Sequence, residues 1–316
     1  MKQLWCALSI VTGCLFFSSA SADSSSGALL QQMSMASQSL DYELSFITIN
    51  KLGVESLRYR HARAQNKALA QLLQLDGPRR EVLQRGNEIS YFEPGLEPFT
   101  LTGDYIVDSM PSIVYTDFKR LAPYYDFISV GKTRIADRLC EVIRVVARDG
   151  TRYSYIVWLD SGTKLPMRID LLDRDGETLE QFRVVDVSVG EPVAKEMGAL
   201  VNANLPPLLS IPDGDKTQLN WAPQWLPQGF KEVSSSKRPL PTIGIPVESR
   251  LYSDGLFSFS ININRTQAVN GEQMFRTGRR TVSTRVRSNT EITVVGELPP
   301  PTAKRVSESV KFRNAP

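Results

Sequence analysis

The chain has 316 residues, with 37 Lys and Arg against 34 Asp and Glu, one histidine and a formal net charge of +3. A single histidine, His61, and three cysteines, Cys6, Cys14 and Cys140, exclude nearly all Ser-His-Asp and Cys-His nucleophilic arrangements and any His-rich or Cys-rich zinc site. Walker and dinucleotide phosphate loops are absent, and no pair of acids stands apart from the turn and strand-edge background, so a non-enzymatic chain with no cofactor and no metal is expected.

Lys2, the apolar stretch from Leu4 to Phe17 and the small residues Ala20-Ser21-Ala22 follow the three-part plan of a secretory signal peptide. Residues 1–22 are therefore expected to be removed on export. The stretch is too short for a membrane span and runs into Ser and Asp instead of a basic stop. Val11-Thr12-Gly13-Cys14 has the look of a lipoprotein box, but Leu15-Phe16-Phe17 continue the apolar core, so Cys14 reads as part of that core. Loss of the signal leaves Cys140 without an internal disulfide partner in an oxidising compartment. Its strand-like setting, Leu139 to Val146, marks it as a small buried hydrophobe.

Apolar residues from Ala28 to Leu40 recur at helical spacing and predict an amphipathic helix. At Tyr42 the period changes to two, with Tyr42, Leu44 and Phe46 on one face. Strands follow near Glu55–His61, Ala68–Leu75, Arg80–Arg85 and Glu88–Phe92, with turns at Asp76-Gly77-Pro78 and Arg85-Gly86-Asn87. His61 sits in that alternation as an ordinary solvent-side or cavity-side residue. Ser112–Leu121 has helical character. Strands return at Tyr125–Val130, Arg138–Val146, Tyr153–Leu159, Leu165–Leu172 and Glu180–Val189, joined by Asp-Gly and Ser-Gly hairpin signals. An antiparallel sheet of this size has to roll up, pair with another sheet or be covered by helices. With so few helices the pattern suggests a curved half-barrel, and leaves open whether its interior is hollow or packed.

Residues 23–197 thus form a large first unit. Residues 198–219, proline-rich and without period, read as a linker, and 220–316 as a smaller β-rich unit. Its strands are expected at Lys231–Ser235, Val247–Tyr252, Leu256–Ile263, Arg280–Val286 and Glu291–Val295, and a helix at Thr302–Val310 behind Pro299-Pro300-Pro301. From Trp221 onward there are fourteen Lys and Arg against seven Asp and Glu, an excess of seven positive charges. Subtracting that from the total, with Lys2 set aside, leaves about −5 on residues 23–220. A basic module joined to an acidic one predicts an anionic partner. Outside the cytoplasm that partner is a lipid phosphate or an acidic polypeptide, and no nucleic acid.

In the second unit, Pro223-Gln224-Trp225-Leu226-Pro227-Gln228-Gly229-Phe230, Tyr252-Ser253-Asp254-Gly255-Leu256-Phe257-Ser258-Phe259-Ser260 and Val294-Val295-Gly296-Glu297-Leu298-Pro299 strongly resemble the RseB/MucB family. In the first unit Tyr42 to His61, Leu75-Asp76-Gly77-Pro78-Arg79-Arg80-Glu81-Val82 and Tyr91-Phe92-Glu93-Pro94 agree. These are periplasmic negative regulators of sigma-E. The resemblance implies an α+β fold, mainly β: a LolA/LolB-like unclosed β-barrel with covering helices and a smaller β-rich C-terminal domain. It further implies binding of the periplasmic part of the anti-sigma factor RseA, protection of RseA from DegS, and release by lipopolysaccharide or a related lipid. A lipid or lipoprotein carrier is the alternative from another class, and a two-carboxylate glycan enzyme a distant third.

For the lipid hollow the candidates are Tyr42, Leu44, Phe46, Leu57, Tyr59, Met167, Ile169 and Leu171, a choice that a one-residue register error would invert. For an anionic ligand or partner they are Arg276, Arg279, Arg280, Arg285 and Arg287, since guanidinium forks match phosphate and carboxylate. The Pro239–Pro246 run is a weaker candidate for peptide docking. The sequence leaves a homo-oligomer open.

Overall fold

The period-two run at Tyr42 is strand β1 (Tyr42–Asn50), and its partners show what the alternation is for. Tyr42, Leu44 and Phe46 lie opposite His61, Tyr59 and Leu57 of β2 (Gly53–Ala64), so one face of the pair is wholly buried and fixes the register. The computed structural model describes residues 20–107, 109–209, 218–239, 244, 246–268 and 271–313. Residues 1–19 of the expected signal peptide 1–22, and most of the Pro239–Pro246 run, lie outside the described residues.

The meander continues through β3 (Lys67–Gln74), β4 (Glu81–Arg85), β5 (Glu88–Phe92) and β6 (Phe99–Thr102). After a helical interruption come β7 (Tyr125–Ile135), β8 (Arg138–Ala147), β9 (Ser154–Asp160), β10 (Pro166–Leu172) and β11 (Thr178–Val189). Among the described residues these make one antiparallel sheet in the order β6-β5-β4-β3-β2-β1-β11-β10-β9-β8-β7, whose two edge strands do not pair with each other. The barrel is therefore unclosed, as expected.

Helix α1 (Ala20–Ser39) covers the inner face. Ser26, Leu30, Met33, Ser34 and Ser37 recur at helical spacing and are buried, and the small serines let the helix lie close to the sheet. Tyr42 donates to the Ser37 carbonyl at 2.9 Å and ties the helix end to β1. Ile113 and Val114 on a single 3-10 turn (Ser112–Tyr115), and Phe118 and Leu121 on α2 (Phe118–Leu121), close the same core. The expected helical character of Ser112–Leu121 is thus split into two short pieces, with Thr116 and Asp117 between them.

Helix α3 (Glu191–Met197) is a feature the periodicity did not reveal. Val193 and Met197, with Leu200 just beyond, pack on Ala62 and Leu69, which point to the outer face of β2 and β3. The chain after α3 is pinned: Arg85 donates to the carbonyls of Val201 and Ala203, and Thr100 of β6 exchanges backbone hydrogen bonds with Pro207 and Leu209. The expected linker therefore rests against the first unit through residue 209, and residues 210–217 lie outside the described residues.

The second unit contains β12 (Trp221–Pro223), β13 (Lys231–Pro239), β14 (Pro246–Ser253), β15 (Ser258–Arg265), β16 (Gly271–Thr277), β17 (Arg280–Arg287) and β18 (Thr290–Gly296), then α4 (Pro300–Glu308) and β19 (Val310–Phe312). Its sheet runs β13-β14-β15-β18-β17-β16, with β12 and β19 paired apart. Sequence periodicity missed β16 because its outward residues, Met274 and Phe275 included, are exposed and do not alternate. Buried residues of both units belong to one continuous cluster, with Tyr155 and Phe257 stacked across the boundary at 5.6 Å between ring centroids. Among the described residues no helix is long and apolar enough to cross a membrane.

Candidate functional site

The boundary between the two units is built on the β8-β9 turn. Asp149 there accepts hydrogen bonds from the Thr151 amide and hydroxyl, which fixes the turn, and from the Gln228 amide of the second unit. Burial works to raise the Asp149 pKa, but these bonds and Arg152 outweigh it and hold the carboxyl below its usual value.

Arg152, next along the turn, enters the second unit. Its Nε lies 3.0 Å from Asp254 Oδ2, with both side chains fully buried. The guanidinium stands 5.1 Å from the centroid of Tyr125 and 5.2 Å from that of Phe230, one ring from each unit. The Tyr125 hydroxyl donates to Asp254, whose other oxygen accepts from the amides of Leu256 and Phe257. Burial first, then the neighbouring Asp254 charge, raises the Tyr125 pKa well above the ordinary phenol value and keeps the ring a hydrogen-bond donor. Tyr153 donating to the Leu298 carbonyl and Thr302 to the Thr151 carbonyl complete the seam.

Beside this seam lies a cavity of about 480 Å³. Leu57, Leu72, Tyr155, Ile169, Leu171 and Phe182 form its apolar wall, and Arg80, Lys51, Glu180, Arg279 and Arg280 its charged rim. Its size is that of a ligand pocket, and its lining is divided about evenly between apolar residues and polar or charged ones. Leu52 and Val107, at its mouth, are strongly exposed for apolar residues.

Of the hollow candidates, Leu57, Ile169 and Leu171 line this cavity. Tyr42, Leu44, Phe46, Tyr59 and Met167 are packed in the core instead, Phe46 against Phe182 at 4.7 Å and Tyr42 against Tyr59 at 6.0 Å. Both sets share one face of the sheet, but the covering helix lies over only part of it. Of the basic candidates, Arg279 and Arg280 reach the cavity rim. Arg276 faces Asp173 of the first unit at 3.4 Å, Arg285 faces Glu272 of its own unit at 3.6 Å, and Arg287 is exposed at the end of β17. Arg279 lies between Glu180 of β11, at 3.6 Å, and Glu297, at 3.1 Å. Burial raises the Glu297 pKa despite that arginine.

His61 is buried, not solvent-facing: its ring stacks on Tyr42 and its Nδ1 lies 2.8 Å from the Leu40 carbonyl. Cys140 is buried, and burial pushes its thiol up to about 11. No group of three or more His, Cys, Asp or Glu suited to a metal occurs among the described residues. Sequence reasoning missed Arg152 and Asp254. The available signal was a charged residue set between a turn and the apolar strand Tyr153–Leu159.

Known proteins give this architecture a context. The model of the MucB/RseB N-terminal domain matches residues 25–208, and that of the MucB/RseB C-terminal domain residues 215–311. The sigma-E factor regulatory protein RseB of Escherichia coli K12 is 74 % identical over 314 residues, 99 % of either chain. The complex structure of Pseudomonas aeruginosa MucA/MucB contains a chain matching 92 % of this one and 100 % of its own length, at 27 % identity and a TM-score of 0.74. A crystal structure of MucB matches 94 % and 99 % at 26 % identity, with a TM-score of 0.56. With both of its domains matched in order and a relative this similar along the whole length, the chain belongs to the MucB/RseB family.

Proposed function

We propose that this chain is a periplasmic negative regulator of sigma-E: it binds the periplasmic part of the anti-sigma factor RseA, shields it from DegS cleavage and so restrains the envelope stress response. The observation that carries this reading is the identity to an RseB sigma-E regulator over essentially the whole chain. The superposition on MucB in its complex with MucA supports it. Such a role needs binding and no catalysis, in keeping with the lone buried histidine. The test is direct. Purified protein is expected to associate with the RseA periplasmic segment and to slow its cleavage by DegS; failure of both refutes the reading.

For the release signal the reading is an anionic lipid, lipopolysaccharide or a relative, seated with an acyl chain in the cavity and its headgroup at Arg279 and Arg280. A ligand that favours the partner-free form releases the partner by mass action. The cavity also favours a second reading, a lipid or lipoprotein carrier. That function predicts measurable transfer of a labelled acyl chain to an acceptor, and no transfer would remove it.

A further inference from the structure

The two ends of the large sheet carry different turns. Turns β1-β2, β3-β4 and β5-β6 all lie at the end where β1 finishes, and each has an exposed leucine: Leu52 at 86 %, Leu75 at 46 % and Leu96 at 58 %. At the opposite end the turns Gln65-Asn66, Gly86-Asn87 and Ala136-Asp137 carry no large exposed apolar residue. A single exposed leucine needs no explanation, but one on each of three successive turns of the same rim does. The rest of that rim is covered, because the C-terminal domain sits on the β8-β9 turn through Asp149 and Arg152 and on the β10-β11 turn through Asp173. Val54 and Val107 add exposed apolar surface to the open part. Strand β3 ends opposite Leu57, so Gly53 to Glu55 pair with β1 alone and the Leu52 tip stands clear of the sheet.

We infer that this rim is a membrane-docking edge: Leu52, Leu75 and Leu96 enter the surface layer of a lipid bilayer and hold the cavity mouth against it. The shape favours a bilayer over a folded partner. Successive turns are two strands, or about 10 Å, apart, so their leucines form separate tips and not one continuous patch. A protein interface needs a closely packed, desolvated centre, whereas a bilayer closes around each tip. Charge offers no net pull. Arg79 and Arg80 are paired with Glu81 and Glu93, and Lys51 and Arg280 stand against Glu55, Asp76 and Glu97. The attraction is therefore apolar, nearly indifferent to lipid charge and to salt. Leu52 and Val107 also line the cavity, so it opens on the docked surface, and an acyl chain moving between the two has a path that bypasses bulk water. Docking stands whether or not the cavity holds a lipid, and so goes beyond the reading above without resting on it.

Flotation of the purified protein with vesicles of phosphatidylcholine, alone or mixed with phosphatidylglycerol, tests this. The protein is expected to float with both, with little change on adding salt. L52S/L96S should partition about tenfold less or weaker still, as loss of two inserted leucines implies. V130S, which removes an equally exposed apolar side chain on edge strand β7, should partition as the unaltered protein does. An environment-sensitive dye on K51C should brighten on vesicle addition, and the same dye on T133C, near the opposite end of the sheet, should not; both positions are exposed and Cys140 is buried. No flotation, full flotation of L52S/L96S, or a response at T133C without one at K51C overturns the docking edge. Loss of RseA association in L52S/L96S with flotation intact also overturns it, and makes the rim a protein interface. Calorimetry with dodecyl phosphate reads the cavity separately. Dodecyl phosphate binding without flotation overturns the docking and leaves the lipid reading standing; flotation through Leu52 and Leu96 without dodecyl phosphate binding supports the docking alone.

Discussion

Arg152 of the N-terminal domain and Asp254 of the C-terminal domain meet at 3.0 Å between Nε and Oδ2, each fully withdrawn from solvent between the rings of Tyr125 and Phe230. A buried ion pair adds little over an apolar pair of the same shape, but removing one partner strands the other charge. Asp254→Asn keeps an oxygen for the Leu256 and Phe257 amides yet leaves Arg152 with Asp149, 3.2 Å from its Nη1, as its remaining carboxylate. It should cost up to about 3 kcal/mol in urea-melt stability, the low end for a broken buried pair. Adding Arg152→Met should recover much of that loss. A double variant no more stable than the single one would show that the charge pairing is not the source of the cost.

Gly229 makes a second close approach across the seam. Its φ is +86°, a region that L residues avoid, and a Cβ there would lie 2.7 Å from Tyr124 Cδ2. Gly229→Ala therefore meets both backbone strain and overpacking, about 2–4 kcal/mol together. Tyr124→Ala in the same chain should return the packing part and not the backbone part. Complete recovery of the melting midpoint would contradict the assigned strain.

Much of this was legible in the sequence, and the reason is periodicity. Tyr42, Leu44 and Phe46 alternate because one face of β1 is buried, so both the strand and its inner face could be read directly. Helix α3 was not legible: seven residues with only Val193 and Met197 buried give too short a pattern. Edge strand β16 escaped because exposed residues carry no alternation. The division of the inner face into cavity and core was invisible for another reason. Leu57 and Phe46 are cross-strand neighbours of identical character, and only the placement of the covering elements gives one an open space and the other none. The arginine cluster was found, but its nearest anions lie far off in sequence, at Asp173 and Glu180.

That division predicts opposite responses to the same enlargement. Leu57→Trp adds bulk toward the cavity and should change stability by less than about 1 kcal/mol while abolishing dodecyl phosphate binding. Phe46→Trp adds bulk against Phe182 in a filled core and should cost about 1–3 kcal/mol. Equal costs for the two variants would mean that the space beside Leu57 is not available.

His61 gives the fold a pH dependence whose sign follows from its burial. Desolvation lowers its pKa from 6.5, only partly opposed by the hydrogen bond to Leu40 and the Asp41 charge. The neutral ring, with Nδ1 donating to the Leu40 carbonyl, is the form the fold holds. As pH falls through 6.5 the unfolded chain takes up a proton that the folded chain refuses, so stability present above 6.5 is progressively lost toward the lowered folded pKa. In His61→Gln that part of the slope should vanish, because the amide does not titrate while its nitrogen can still donate. Urea midpoints of the two proteins between pH 7.5 and about 5 measure the difference. A wild-type curve that runs parallel to that of the variant across this range would remove His61 as the source.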